Sequence, residues 1–166
     1  MHRFVWDLHY APPASLSHEY PISATYRDTP REPRGPWVLP GSYTVRLTVS
    51  GQAYTQPLTV RMDPRVRTPA AGLALQLSAA QRVAVALRRD SVALGEVWQR
   101  KPEQSAPSAA LDSLDAALAR LNGRLARAYG VIEGSDGTPT TQAVAAVGRL
   151  ERELADLLAR WSRVRP

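Results

Sequence analysis

The sequence predicts an α+β chain, with an antiparallel β-rich segment over residues 1–67 and a three-helix antiparallel bundle over residues 68–166. Two patterns predict this. Apolar residues alternate in twos on either side of Ser50-Gly51, the periodicity of a half-buried strand. Beyond residue 68, leucine-rich stretches repeat at spacings of three and four, the periodicity of one helix face.

In chain order, Arg3 to Tyr10 reads as a first strand, because Phe4, Trp6, Leu8 and Tyr10 recur at every second position. Residues 11–39 carry Pro12, Pro13, Pro21, Pro30, Pro33 and Pro36, which interrupt any helix or central strand. Tyr20, Ile22, Tyr26 and Trp37 are apolar anchors in this long loop, so it is expected to be mostly ordered. After the Pro40-Gly41 turn, Ser42–Val49 is the clearest strand, with Tyr43, Val45, Leu47 and Val49 on one face. Ser50-Gly51 fits a two-residue hairpin turn, with a return strand from Gln52 to about Met62. Pro57 cannot donate to a ladder and places that strand at an edge or a bulge.

Thr68-Pro69 reads as a cap and first helical position, with Ser78 as the alternative start. The expected stripe of the first helix is Leu77, Ala80, Ala84, Leu87, Leu94 and Trp98, ending at Pro102. The second helix starts near Ser105 to Ser108 and carries Leu111, Leu114, Leu118, Leu121 and Leu125. The third opens at Thr138-Pro139 and carries Val147, Leu150, Leu154, Leu157 and Trp161. Short loops between three such helices give an antiparallel bundle.

Charge and composition narrow the function classes. The net charge is +6, but residues 1–67 hold eight Arg against five acids, and residues 68–166 hold thirteen Lys/Arg against ten acids. Each half is therefore +3, and an evenly spread excess is not the concentrated patch of a nucleic-acid binder. No nucleic-acid partner is expected. No apolar run reaches the length of a membrane span, and no membrane partner is expected. The N-terminal residues lack the apolar stretch of a secretory signal. There are no cysteines, which excludes disulfides and thiolate-bound zinc.

The chemistry-bearing residues form no catalytic pattern. His2, His9 and His18 lie near Asp7 and Glu19 without a ligand spacing, and read as surface histidines. Asp7 reads as a structural acid that hydrogen-bonds backbone. Asp112 and Asp115 sit three apart at the start of the second helix, where negative charge complements the helix dipole. Gly134-Ser135-Asp136-Gly137 precedes a helix start but lacks the strand and lysine of a phosphate loop. Trp6, Trp37, Tyr20 and Tyr26 form either a carbohydrate platform or, with better odds, a core between loop and sheet. Trp98 and Trp161 fall on helical stripes and read as bundle core. No catalytic, metal or cofactor residues are assigned and no enzyme activity is expected. Phe4, Trp6, Trp37, Tyr43 and Tyr54 are the candidate interaction residues.

Three stretches together resemble one family: Arg3-Phe4-Val5-Trp6-Asp7-Leu8-His9-Tyr10, then Val38 to Val49 with its Pro40-Gly41-Ser42-Tyr43-Thr44-Val45-Arg46-Leu47 element, then Tyr54 to Val60 followed by Met62-Asp63-Pro64-Arg65-Val66. They are similar to the C-terminal region of large bacterial exported proteins with sialidase-like (BNR) or sortilin-like β-propellers. There an immunoglobulin-like module and a helical tail follow the propeller. Thr138 to Gln142 and Leu157 to Trp161 also look like that tail. Ser42 and Ser50-Gly51 stand where the family usually has Thr and Asp-Gly.

The resemblance implies a partial antiparallel Ig-like sandwich, a hairpin plus an extra strand, without the propeller and its glycosidase residues. It implies an extracytoplasmic setting and a non-catalytic accessory role, with a propeller domain or a second copy as partner. A carbohydrate-binding module is the alternative. An incomplete sandwich exposes edges. Residues 4–10 or 42–62 are therefore expected to pair with another copy, or the helices to cover the open face.

Overall fold

A computed structural model describes residues 3–14, 20, 23, 25–26, 29, 31–101 and 108–164. The element order is β1 (Gly41–Val49), β2 (Gln52–Val60), α1 (Ala70–Arg100), α2 (Ala109–Glu133) and α3 (Thr141–Val164). The architecture is α+β, a two-stranded antiparallel sheet with three helices. Among the described residues the sheet has these two strands and no sandwich is formed.

The core lies in the bundle. Ala80, Leu87 and Leu94 of α1 meet Leu111, Leu114, Leu118, Leu121 and Leu125 of α2 and Val147, Leu150, Leu154, Leu157 and Trp161 of α3. The predicted stripes of α2 and α3 are all buried. In α1 the stripe is rotated. Ala79, Val83, Ala86 and Val97 are buried, Leu77 and Ala84 are half-buried, and Trp98 is exposed. The Trp98 indole donates to Asp115 Oδ1 at 2.9 Å, so it covers the α1–α2 end rather than filling the core. By length and composition α1 could also cross a membrane, but its buried residues are those that pack the bundle.

Local chemistry sets the ends. α1 starts after Pro69, which takes the cap position expected of Thr68 and has no side-chain acceptor, while Thr68 Oγ1 donates to the Asp136 carbonyl. Gly72 admits this approach: a Cβ there would lie 2.0 Å from Thr138 Oγ1. Pro102 lies outside the described residues. Ser108 caps α2 by accepting from the Leu111 N–H. α3 starts later than Thr138-Pro139 suggests, because the Thr140 hydroxyl accepts from the Ala143 N–H at 3.1 Å and makes Thr140 the cap.

The hairpin matches its sequence closely. Ser50 and Gly51 both have positive φ, 48° and 81°, the type I′ combination that follows strand twist. The register runs without a bulge from Val49↔Gln52 to Gly41↔Val60. β2 ends at Val60, two residues before Met62.

The first predicted strand is not formed. Leu8 sits at φ 64°, in the left-handed region, so the chain reverses there instead of extending. The His9 N–H donates to Asp7 Oδ1 and the Trp6 indole to the His9 carbonyl, which holds the turn. Only His9 makes a strand-like contact, an antiparallel bridge to Trp37.

Candidate interaction surface

Two regions carry what is left after the bundle is packed: the hairpin, and the segment that ties it to the helices. On the hairpin, Tyr43, Val45, Leu47 and Val49 share a face with Leu58, Gln56, Tyr54 and Gln52, as the register dictates. This apolar face is open. Val45 is 50% exposed, Leu47 60% and Tyr54 57%. Only Tyr43, Leu58 and Val60, near the base, are half-buried. The Tyr43 hydroxyl donates to the Leu39 carbonyl at 2.6 Å, and its ring meets Trp6 edge-on with centroids 5.7 Å apart. Trp6 therefore extends the face at its base, and Phe4, two residues earlier, is 90% exposed.

The tie begins at the His9–Trp37 bridge. Tyr10 N–H donates to the Pro36 carbonyl and Val38 N–H to the Leu8 carbonyl, both at 2.9 Å. His9 and Trp37 are thus a non-hydrogen-bonded pair with close side chains, and their rings lie 3.7 Å apart. His9 is not a surface histidine: its side chain is only 6% exposed, between Trp37 and Asp7. The Trp37 N–H faces away from the bridge and donates to Glu133 Oε2 at 3.2 Å, at the end of α2. The buried Tyr129, one turn earlier, donates its hydroxyl to the Arg34 carbonyl at 2.7 Å. Ser91 of α1 donates to the Ala14 carbonyl, which holds the other end of the segment. Ala14, Arg34 and Trp37 of the 11–39 loop are in these ways tied to the bundle.

A cavity of about 510 Å³ opens between this segment and α2, with His9, Glu32, Arg34, Trp37, Tyr129 and Glu133 in its wall. A smaller one of about 190 Å³ lies on the far side of Trp37 and Glu133, walled by Leu8, Val38, Met62, Leu73 and Leu77. Burial pushes the Glu133 carboxyl above its ordinary range, against the opposing effect of the Trp37 N–H. Burial, then the charges of Glu133 and Glu32, pushes the Tyr129 phenol up.

The other sequence candidates are placed as follows. Tyr20 and Tyr26 are exposed, Trp37 is 43% exposed, and among the described residues these rings form no core between loop and sheet. The chain reverses at Leu8 and no second sheet is present among the described residues, so no two-sheet interior forms around these rings. Asp112 and Asp115 do more than complement a dipole: both bind Lys101, at 2.8 and 2.7 Å. That ammonium holds the Asp115 carboxyl below its ordinary range. The Gly134–Gly137 loop gives its Ser135 carbonyl to Gln76 Nε2 of α1, which also donates to the Ile132 carbonyl at the end of α2. His2, His18 and Glu19 lie outside the described residues. Among the described residues no three His, Cys, Asp or Glu side chains converge.

The sequence reading missed Tyr129 and Glu133. A signal was there, since they extend the Leu118–Leu121–Leu125 stripe by two further steps of four. The chain matches no family model, and no curated protein or solved structure is significantly similar to it.

Proposed function

We propose that this chain is a non-catalytic interaction module, the C-terminal accessory region of an exported β-propeller protein, and that its hairpin is the docking element. The observation that carries the reading is the uncovered apolar face of β1 and β2. A two-stranded hairpin alone is marginal in water, and an apolar strand face gains stability from a cover. The helices bury their stripes against one another and leave this face open. The similarity of Arg3–Tyr10, Val38–Val49 and Tyr54–Val66 to propeller-linked modules supports the propeller as the covering body.

A benzophenone side chain placed at position 47 tests this in the native host, with one at the exposed helical position 116 as control. The expected result is a selective adduct from position 47 whose peptides belong to a β-propeller polypeptide. Equal labelling from both positions, or none from position 47, sinks the reading. In parallel, Leu47→Asp is expected to lower Tm by less than about 2 °C, since surface changes cost little. A larger fall means the face is packed inside the fold.

The larger cavity favours carbohydrate binding as the second reading, because an exposed indole, Trp37, stands beside Glu32, Arg34 and Glu133 in its wall. Saccharide titration followed by tryptophan fluorescence tests it. A response lost in Trp37→Ala supports it, and no response across a glycan panel removes it.

A further inference from the structure

The two edges of the hairpin are not equivalent. Pro57 has no N–H, so its pair with Thr44 cannot exchange hydrogen bonds. Counting in twos from the Val49–Gln52 pair that closes the turn gives the same result. Pro57 therefore lies where its nitrogen faces outward, and the outer edge of β2 lacks a donor at its middle. β1 has no such block. By the same alternation, Ser42, Thr44, Arg46 and Thr48 point their N–H and C=O groups outward. Among the described residues none of these groups has a backbone partner outside the hairpin.

Resting on the docking role of the hairpin, we propose that β1 pairs antiparallel with β1 of a second copy, about a two-fold axis at Val45, to give a continuous four-stranded sheet. Three features fit a second copy. Val45 is the centre of the nine-residue strand Gly41–Val49, so this register uses its whole length. It matches outward-facing residues with outward-facing residues, Ser42 with Thr48 and Thr44 with Arg46 of the other copy, so each N–H and C=O on the edge finds a partner. It also keeps like faces together, with Tyr43 beside Leu47 and Val45 beside Val45 of the other copy. Charge selects it over an axis at Arg46, which would set Arg46 directly opposite Arg46, and like charges directly opposite are destabilising; an axis at Thr44 would set Thr48 opposite Pro40, which has no N–H to give. The pairing is isologous, so it closes as a dimer and does not propagate, because Pro57 interrupts the outer edge on both sides.

Cysteine cross-linking reads the register, and the chain has no native cysteine to interfere. Val45→Cys places two thiols at a non-hydrogen-bonded pair, where side chains approach most closely. Under mild oxidation it is expected to give a covalent dimer much faster than Arg46→Cys. Faster dimer formation by Arg46→Cys overturns the register. Sedimentation equilibrium reads the association itself. Thr44→Pro removes an outward N–H at a position where β2 already tolerates proline opposite, so the hairpin survives. It is expected to weaken self-association by about tenfold or more. Unchanged association in Thr44→Pro overturns edge pairing, and a strictly monomeric wild-type chain at high concentration overturns the dimer. Neither result touches the wider docking reading, which stands or falls on the adduct from position 47.

Discussion

The Trp37 N–H donates to the Glu133 carboxylate at 3.2 Å, across 96 residues of sequence. This bond joins the segment that carries the hairpin to the end of α2. The same Trp37 stacks on His9 through its side chain, so one residue couples the N-terminal turn, the loop and the bundle.

Removing the acceptor tests that joint. Glu133→Ala is expected to cost about 1 kcal/mol, since a hydrogen bond at a partly exposed site is worth little more. The Trp37 amide should then exchange with solvent much faster, measured by hydrogen exchange. The charge can be separated from the bond with Glu133→Gln. Burial raises this carboxyl above its ordinary range, so the folded chain holds its proton more tightly than the unfolded one. Its contribution to stability is complete below the unfolded pKa and is lost as pH rises through the folded one. Relative to wild type, Glu133→Gln should therefore gain stability as pH rises above the ordinary glutamate range, read in urea titrations.

Asp90 should dominate the pH dependence. It is fully buried, and burial pushes its carboxyl up to about 6, against the opposing effect of the Asn122 amide. Asn122 Nδ2 donates to Oδ2 at 2.7 Å, while Oδ1 has no hydrogen-bond partner among the described residues. The sign is that of a raised carboxyl, with stability highest below about pH 4 and falling as pH passes about 6. The shift from 3.8 to about 6 corresponds to about 3 kcal/mol. Asp90→Asn should flatten this profile in denaturant melts. Asp90→Leu combined with Asn122→Leu should be at least as stable as wild type at neutral pH, because apolar packing commonly matches a buried polar pair.

Gly35 should tolerate no side chain. A Cβ there would lie 1.8 Å from the Tyr10 carbonyl oxygen and 2.7 Å from that of Ala11, both rigid backbone. Gly35→Ala is expected to cost about 2 kcal/mol by pushing the two segments apart. Loss of the His9–Trp37 stack should change tryptophan emission while helical circular dichroism stays constant.

The interhelical ion pairs should matter little. Arg82 pairs with Glu151 between α1 and α3, and Arg124 pairs with Glu153 between α2 and α3. All four side chains are substantially exposed. Double-mutant cycles are expected to give coupling of about 1 kcal/mol or less, vanishing in high salt.

Some of this was legible in the sequence alone. Ser50-Gly51, with alternation on both sides, determined the hairpin and its register, because turn type and a period of two act locally. Leu111 to Leu125 and Val147 to Trp161 determined two buried stripes, because a helix face repeats whatever it packs against. Tertiary structure decided the rest. Phe4, Trp6, Leu8 and Tyr10 alternate like a strand, yet Leu8 turns the chain into the left-handed region, where bridging to residues 36–38 takes precedence over extension. Trp98 has the spacing of a core residue, yet the rotation of α1 against its neighbours sends it to Asp115. Glu133 and Trp37 lie too far apart in sequence for any local pattern to join them. Which apolar faces find partners is likewise a property of the assembled helices. They cover one another and leave the face of Val45 and Leu47 open.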